Sequence, residues 1–430
     1  MNIKLSAAIL VTLGWFSVYA QPNDFENQNI GYRDKSFFTQ VYPIPYTDSL
    51  ILINFLYKIP HEKLFFSKEG EKYSTSILVS VEVSDSSSNY IERQFEVRSV
   101  TLNDFALTID PNSYIEGNIK LKVQNRNLNI FAVVTDQTSQ KEIFFREQYF
   151  KKILEDEFDL LPPILLERNS ENCGVESKAL VNFGNSIPFN NNSYQILFPI
   201  KDNLLESIFI KLISVKDTVF NGKVSRTELG LQKLYPCDGR MILKSVPDPD
   251  NLSLFYIDSL TYKLNEGPLE LLISKREDFQ KKKSFKYVVK WLKKPVSLKD
   301  PELAIRLLKF MISADSIKHL LKIGQHDLSL NNFWKTYDPS PETRYNELMA
   351  QYYERIDFAM ENFSTISGQS GIDSDRAKIY VRFGKPNQVD RGSNGDGKVS
   401  ETWTYSNKLR QKFIFVDEKG TGEFILKYTQ

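Results

Sequence analysis

Alternation of apolar and polar positions dominates the first two thirds of the chain. Leu50 to Ile59 is mostly apolar or aromatic and stops at Pro60, the pattern of a strand buried on both faces. Ile77, Val79, Val81 and Val83 alternate with Leu78, Ser80 and Glu82. Asp85-Ser86-Ser87-Ser88-Asn89 turns the chain, and Ile91, Arg93, Phe95 and Val97 carry the alternation back, which predicts a hairpin. Ile119, Leu121 and Val123 predict another strand, and residues 128–135 and 142–146 flank a second turn at Asp136-Gln137-Thr138-Ser139. These short strands predict a β-sandwich domain over residues 37–158. Residues 159–176 read as a linker, because Pro162-Pro163 removes two donors and fixes two φ angles. Residues 177–297 predict a second sandwich, with its clearest strands at 194–200, 207–215, 252–258 and 269–274, punctuated by Asn190-Asn191-Asn192 and Asn221-Gly222.

Helical spacing follows. Asp300-Pro301-Glu302 combines a capping Asp, a Pro at the first helical position and an acid in the first turn. Leu303, Leu307, Phe310, Met311, Ala314, Ile317 and Leu321 mark one face, and Gly324 is a fitting stop. Ser340-Pro341-Glu342 reads as a second start, for a helix of about 22 residues whose apolar face runs from Tyr345 to Phe363. The remainder predicts strands at 377–383, 401–406, 412–417 and 423–428. The fold class is therefore multi-domain and mainly β: two β-sandwich (Ig-like) domains, then an α+β domain over 298–430 whose helices cover a small antiparallel sheet.

Composition narrows the class. The chain has 430 residues, 41% hydrophobic and 25% charged, an ordinary globular mixture. Its net charge of +1 offers no global field for nucleic acid. Three His and two Cys argue against a His- or Cys-rich metal centre, and no cofactor or metal is expected. Residues 1–20 read as a secretory signal, with Lys4 before an apolar run from Ala7 to Phe16 and small residues at Val18 and Ala20. Residues 21–36 form a polar leader. No later apolar run is long enough for a transmembrane span. The expected location is extracytoplasmic, where Cys173 and Cys237 can pair and close a loop of about 65 residues.

The last hundred residues resemble a known family. Phe333-Trp334, Asp338-Pro339-Ser340-Pro341, Asn346-Glu347, Tyr352-Tyr353, Arg355-Ile356 and Phe363 stand in the order seen in GWxTD-domain proteins. So do Asp375-Arg376, Ile379-Tyr380, Gly384-Lys385-Pro386, Glu401-Thr402-Trp403 and residues 413–417. The resemblance implies an exported, multi-domain bacterial protein and brings no established activity with it. The naming motif is altered to Gly371-Ile372-Asp373-Ser374-Asp375, with Ile for Trp and Ser for Thr.

Candidate binding residues are Phe333, Trp334, Asp338, Asn346, Glu347, Arg355, Asp375 and Arg376. Phe333-Trp334 reads as a platform for a glycan or peptide, or as a core plug. The polar members read as a structural network, since a buried Arg needs carboxylate or carbonyl partners. No catalytic residue is assigned. Arg391 to Gly397 lacks the ligand spacing of a calcium loop. Lys286 and Lys290 alternate with Phe285, Tyr287, Val289 and Trp291, which predicts one basic and one apolar strand face. There is no nucleophile elbow, phosphate loop or zinc-binding helix motif. The expectation is a non-catalytic binding or scaffold protein of the bacterial envelope whose terminal domain engages a protein or glycan. One alternative is a hydrolase of envelope polysaccharide using Asp338, Glu347, Asp373 or Asp375, which requires two acids facing across a cleft about 5–10 Å wide. Another is an architectural subunit of an envelope complex.

Overall fold

The computed structural model describes residues 37–429 except 48, 111, 155–157, 169–172, 175–176, 249–250, 259, 261–262, 366–367, 369, 394–395 and 407–409. The signal at 1–20 and the leader at 21–36 lie outside the described residues. Strands of the first unit are β1 (Phe38–Pro45), β2 (Leu50–Pro60), β3 (Ser67–Glu69), β4 (Lys72–Asp85), β5 (Tyr90–Leu102), β6 (Tyr114–Gln124), β7 (Leu128–Asp136) and β8 (Glu142–Phe150). β1, β2 and β6 form one antiparallel sheet; β3, β4, β5, β7 and β8 form the other. Ile51, Ile53, Phe55 and Tyr57 of the first meet Ile77, Val79, Val81 and Val83 of the second. Burying a side chain of this size stabilises by about 1.5–3 kcal/mol. β2 is buried on both faces because Tyr42, Ile44 and Leu56 of its sheet also pack against the next unit.

β5 departs from expectation. Glu96 stands opposite Val79 and Gln94 opposite Val81. Residues directly opposite in a ladder share a face, so Phe95 and Val97 point away from the core, 69% and 55% exposed. The ladder shifts register between Val83 and Ser84, and a one-residue slip flips every side chain beyond it. The core-side face is polar instead: the Tyr57 phenol donates to Glu96 at 2.7 Å, and Arg98 pairs with Glu96 at 2.9 Å.

The second unit holds β9 (Ile164–Arg168), β10 (Lys178–Leu180), β11 (Ser186–Pro188), β12 (Tyr194–Ile200), β13 (Ser207–Ser214), β14 (Asp217–Ser225), β15 (Glu228–Cys237), β16 (Arg240–Pro247), β17 (Leu252–Ile257), β18 (Gly267–Ser274) and β19 (Lys283–Lys290). It differs from a plain sandwich. β10, β16, β15, β17, β12 and β9 close into a barrel, while β11, β19, β18, β13 and β14 make an open sheet. The closing strand β9 comes from the stretch read as linker; it pairs with both β10 and β12. Ile196, Phe198 and Phe255 of the barrel pack on Ile208, Ile210, Leu271 and Ile273 of the sheet. Cys173 and Cys237 are disulfide-bonded, with Cα atoms 5.9 Å apart. On β19, Lys286 and Lys290 are exposed, while Val289 is buried and Phe285 and Tyr287 are half-buried on the opposite face.

The terminal unit begins with α1 (Pro301–Arg306), α2 (Ala314–Lys322), α3 (His326–Lys335), α4 (Glu347–Asn362) and α5 (Asp375–Phe383), then β20 (Gln388–Ser393), β21 (Val399–Tyr405), β22 (Gln411–Asp417) and β23 (Phe424–Thr429). Asp300 caps α1, accepting from the Glu302 and Leu303 amides at 3.0 and 3.2 Å. The single helix expected from Pro301 to Leu321 is broken, because a 3₁₀ turn over Leu307–Phe310 separates α1 from α2. The Tyr353 and Tyr352 hydroxyls donate to the Ala304 and Leu307 carbonyls at 2.8 and 2.6 Å, occupying acceptors a continuing helix would use.

Ser340 caps no helix. α4 starts at Glu347 with Asn346 as its cap, accepting from the Met349 amide at 2.8 Å, and Phe333 and Trp334 lie within α3. Residues 377–383 are helical rather than extended: Ser374 caps α5, and Gly384 at φ +80° ends it. β20 to β23 form an antiparallel sheet. Trp403, Tyr405, Phe413 and Phe415 on one of its faces share a core with Ile305, Tyr353, Ile356 and Ala377 of the helices. Among the described residues, no helix is long and apolar enough to cross a membrane.

Candidate functional site

The start of α4 gathers five of the eight sequence-derived candidates. Trp334 is 1% exposed, with its ring centroid 5.4 Å from Tyr352 and 5.8 Å from Tyr353. It is a core plug, and no face of it is open as a platform. Phe333 packs edge-on against it at 5.4 Å. Asn346 donates to the Trp334 carbonyl at 2.9 Å while capping α4, so one amide locks α3 to α4. Asp338 accepts from the Ser340 amide at 3.0 Å. Glu347 accepts from the Ser340 hydroxyl at 2.7 Å and from the Asn191 amide of the second unit.

Asp375 and Arg376 lie elsewhere, at the start of α5. Partial burial pushes the Asp375 carboxyl up, but the Lys378 ammonium and the Leu426 amide outweigh it and hold it below the usual carboxylate range. Those contacts are 2.8 and 3.0 Å. The Arg376 guanidinium lies between the Phe363 and Phe424 rings, 4.9 and 4.3 Å from their centroids. It donates to the Gly422 carbonyl at 3.2 Å and faces the buried Glu401 carboxylate at 3.6 Å. Glu401 also accepts from Arg391 at 2.9 Å and from the Trp403 indole at 3.2 Å. Glu401 was not among the sequence candidates, although alternation with Trp403 and Tyr405 places an acid on an apolar face.

The altered motif is a helix-start device. Gly371 opens a 3₁₀ turn, and a Cβ there would stand 2.3 Å from the Ala359 carbonyl oxygen and 2.8 Å from the Ser364 nitrogen. Ile372 is buried in the helix–sheet core, and Asp373 pairs with Lys309. The Ser374 hydroxyl accepts from the Ala377 amide at 3.1 Å and donates to the Gly371 carbonyl at 2.7 Å. Thr supplies the same hydroxyl. Ser374→Ala is therefore expected to cost about 1 kcal/mol and Ser374→Thr only a few tenths. Gly371→Ala forces backbone movement, expected to cost about 2 kcal/mol. Urea unfolding of the three variants, followed by tryptophan fluorescence, checks the ranking.

Arg355 stands apart from both groups. Its Nη1 donates to the Val381 and Arg382 carbonyls at 3.2 Å each, at the end of α5. Burial pulls its pKa down, and the nearby Tyr380 and Tyr405 phenols and the Glu354 carboxylate oppose this. Arg355 and Arg382 edge a hollow of about 180 Å³ walled by Phe310, Met311, Trp334, Leu348, Tyr352 and Val381, with Gln351. No carboxylate lines it, and among the described residues none is ion-paired with either Arg. A second cavity of about 300 Å³ lies where the first unit meets the second, lined by Thr47, Asn125, Lys152, Asp159 and Lys201 among others. Among the described residues, no three His, Cys, Asp or Glu side chains group closely enough to hold a metal ion.

Comparison with known proteins adds a domain match over the last third of the chain. No curated protein matches the chain. Among solved structures, a protein from Archaeoglobus fulgidus is similar at 15% identity and a TM-score of 0.17, covering 27% of this chain and 96% of that one. Salmonella alpha-2-macroglobulin is similar at 8% identity and a TM-score of 0.14, covering 60% of this chain and 17% of that one. The family model of the GWxTD domain matches residues 273–428, from within β18 through β23. Residues 273–428 thus match the GWxTD domain, and within them the naming motif reads Gly-Ile-Asp-Ser-Asp.

Proposed function

We propose that this is an exported, non-catalytic binding or scaffold protein of the bacterial envelope, and that its GWxTD domain engages an apolar, acidic segment of a partner protein. The observation that carries this reading is Arg355. A half-buried guanidinium with two carbonyl bonds and, among the described residues, no ion-paired carboxylate borders an apolar hollow beside a second Arg. Guanidinium donors left over at an apolar wall favour a carboxylate carried on an apolar chain. A glycan is less well served, because Trp334 is buried and presents no stacking face. The bridged Cys173 and Cys237 support an oxidising compartment.

The hydrolase reading has little support. Asp338, Glu347, Asp373 and Asp375 are each engaged by a local donor, and the hollow beside Arg355 contains no acid. An array of defined peptides, pairing Leu or Phe with Asp or Glu or with Asn or Gln, tests the proposal. Binding is expected to concentrate on acidic–apolar peptides and to fall at least tenfold in Arg355→Gln/Arg382→Gln. Equal binding to the amide series, or no loss in the double variant, overturns it.

A further inference from the structure

The free edge of β5 is unusual for a long edge strand. β5 has 13 residues and, among the described residues, pairs only with β4 and makes no other backbone–backbone bond. Its outward N–H and C=O groups thus form an open template. Folded proteins blunt such edges with Pro, Lys, inward-pointing charges, bulges or short strands; β5 has inward-pointing Glu92, Glu96 and Arg98 and a slip beside its turn, so it can accept only a strand whose charges match. β5 contains no Pro, Gly or Lys, and its register with β4 is regular from Glu92 to Leu102. Phe95 and Val97 are exposed on it rather than shielded.

We infer that this edge takes the β5 edge of a second copy of the chain, forming an antiparallel two-fold pair centred on Phe95. Two identical strands related by an axis normal to the sheet pair residues of equal parity on each face. Centring on Phe95 places Glu92 opposite the copy's Arg98, twice by symmetry, Gln94 opposite Glu96, and Phe95 opposite itself. Glu92 has no ion-pair partner in its own chain among the described residues; it only accepts from Gln94 at 3.1 Å. Moving the axis one residue either way sets Glu92 against Glu96, or Glu96 against itself, and like charges directly opposite are destabilising. Centring on Val97 makes Glu96 serve Arg98 across the axis, but Glu96 is already held by Tyr57 and its own Arg98. The Phe95 register alone sets both Glu92–Arg98 pairs and an aromatic pair opposite each other, with Arg98 shared between the copy's Glu92 and its own Glu96. Main-chain bonds then supply affinity and the charge pattern supplies register, as in strand addition generally. The two five-stranded sheets would become one of ten strands.

A thiol scan of the full chain tests this, since the only two cysteines are bridged to each other. Phe95→Cys is expected to give a covalent dimer under mild oxidation, because opposed residues in a ladder lie within disulfide reach. Val97→Cys is expected to stay monomeric on denaturing gels, its copies being offset by about 13 Å. Sedimentation should show a wild-type dimer whose dissociation constant rises at least tenfold in Glu92→Arg and recovers in Glu92→Arg/Arg98→Glu. Monomeric wild-type protein, cross-linking at Val97→Cys in place of Phe95→Cys, or charge variants that change nothing each overturn the inference. A monomer whose β5 edge instead takes another protein's strand overturns it equally.

Discussion

Glu116→Gln is expected to lower stability by about 3–5 kcal/mol, the cost of leaving a buried charge without its partner. The stranded group is Lys58, whose side chain is 4% exposed near the end of β2. Its ammonium sits 2.8 Å from Glu116 and over the rings of Phe183 and Tyr114, at 4.1 and 4.5 Å from their centroids. Burial drives its pKa down, and Glu116 opposes the shift. Glu116 also accepts from the Met241 amide at 3.1 Å and faces Arg240, 3.3 Å away. Arg240 in turn pairs with Glu167, so the cluster joins β2 and β6 of the first unit to β9 and β16 of the second. In the variant Lys58 keeps its ring faces but loses its counter-charge. Its folded-state pKa then drops further below the unfolded value of about 10.4. The unfolded state binds more protons in that window, so the variant should recover stability as pH rises from neutral towards 10. Lys58→Met/Glu116→Leu is expected to regain most of the loss, because no buried charge remains. Urea unfolding followed by circular dichroism at several pH values measures all three. A single-variant loss under about 1 kcal/mol would show that the cluster is solvated.

That cluster also shows how far the sequence could be read. The apolar run from Leu50 to Ile59 predicted a doubly buried strand, in which Asn54 and Lys58 are the two residues out of character and Lys58 the only charged one. A cation in such a strand requires an anion from a distant strand, but nothing local says that the anion is Glu116, 58 residues on. Caps were readable where they were local: Asp300 does what its neighbours predict. They misled where two competed. Ser340-Pro341 and Asn346 both suit a helix start, and the chain uses Asn346 because its amide can also reach the Trp334 carbonyl. Residues 377–383 alternate like a strand, yet Ser374 and Gly384 bracket a nine-residue helix whose Ala377 and Val381 are buried four apart. There the brackets, not the period, carried the information. β5 failed for a different reason: one slipped residue beside the turn inverts a whole face, and alternation cannot show a slip. Of the eight candidate residues, Arg355 alone meets solvent at an apolar hollow. Its bonds to carbonyls rather than acids depend on where α5 ends, which only tertiary structure decides.

The same logic separates cohesion from reactivity in the GWxTD domain, where Glu401 binds two arginines of opposite exposure. Glu401→Gln is expected to cost about 3 kcal/mol, because Arg376, with a side chain 10% exposed, loses its only ion-paired carboxylate among the described residues. Arg391→Gln removes the shorter contact to the same carboxylate, 2.9 Å against 3.6 Å, yet Arg391 is 75% exposed. Water screens that pair, so its loss is expected to stay below about 1 kcal/mol. Exposure rather than distance therefore decides the ranking. Arg376→Met/Glu401→Leu should cost less than Glu401→Gln, since it fills the space between Phe363 and Phe424 without a charge. Trp291, Trp334 and Trp403 share one core, and the Trp403 indole donates to Glu401, so tryptophan emission reports unfolding of this domain directly. If Arg391→Gln proved as costly as Glu401→Gln, the carboxylate would be working at the surface, and a ligand-facing role for Glu401 would replace the structural one.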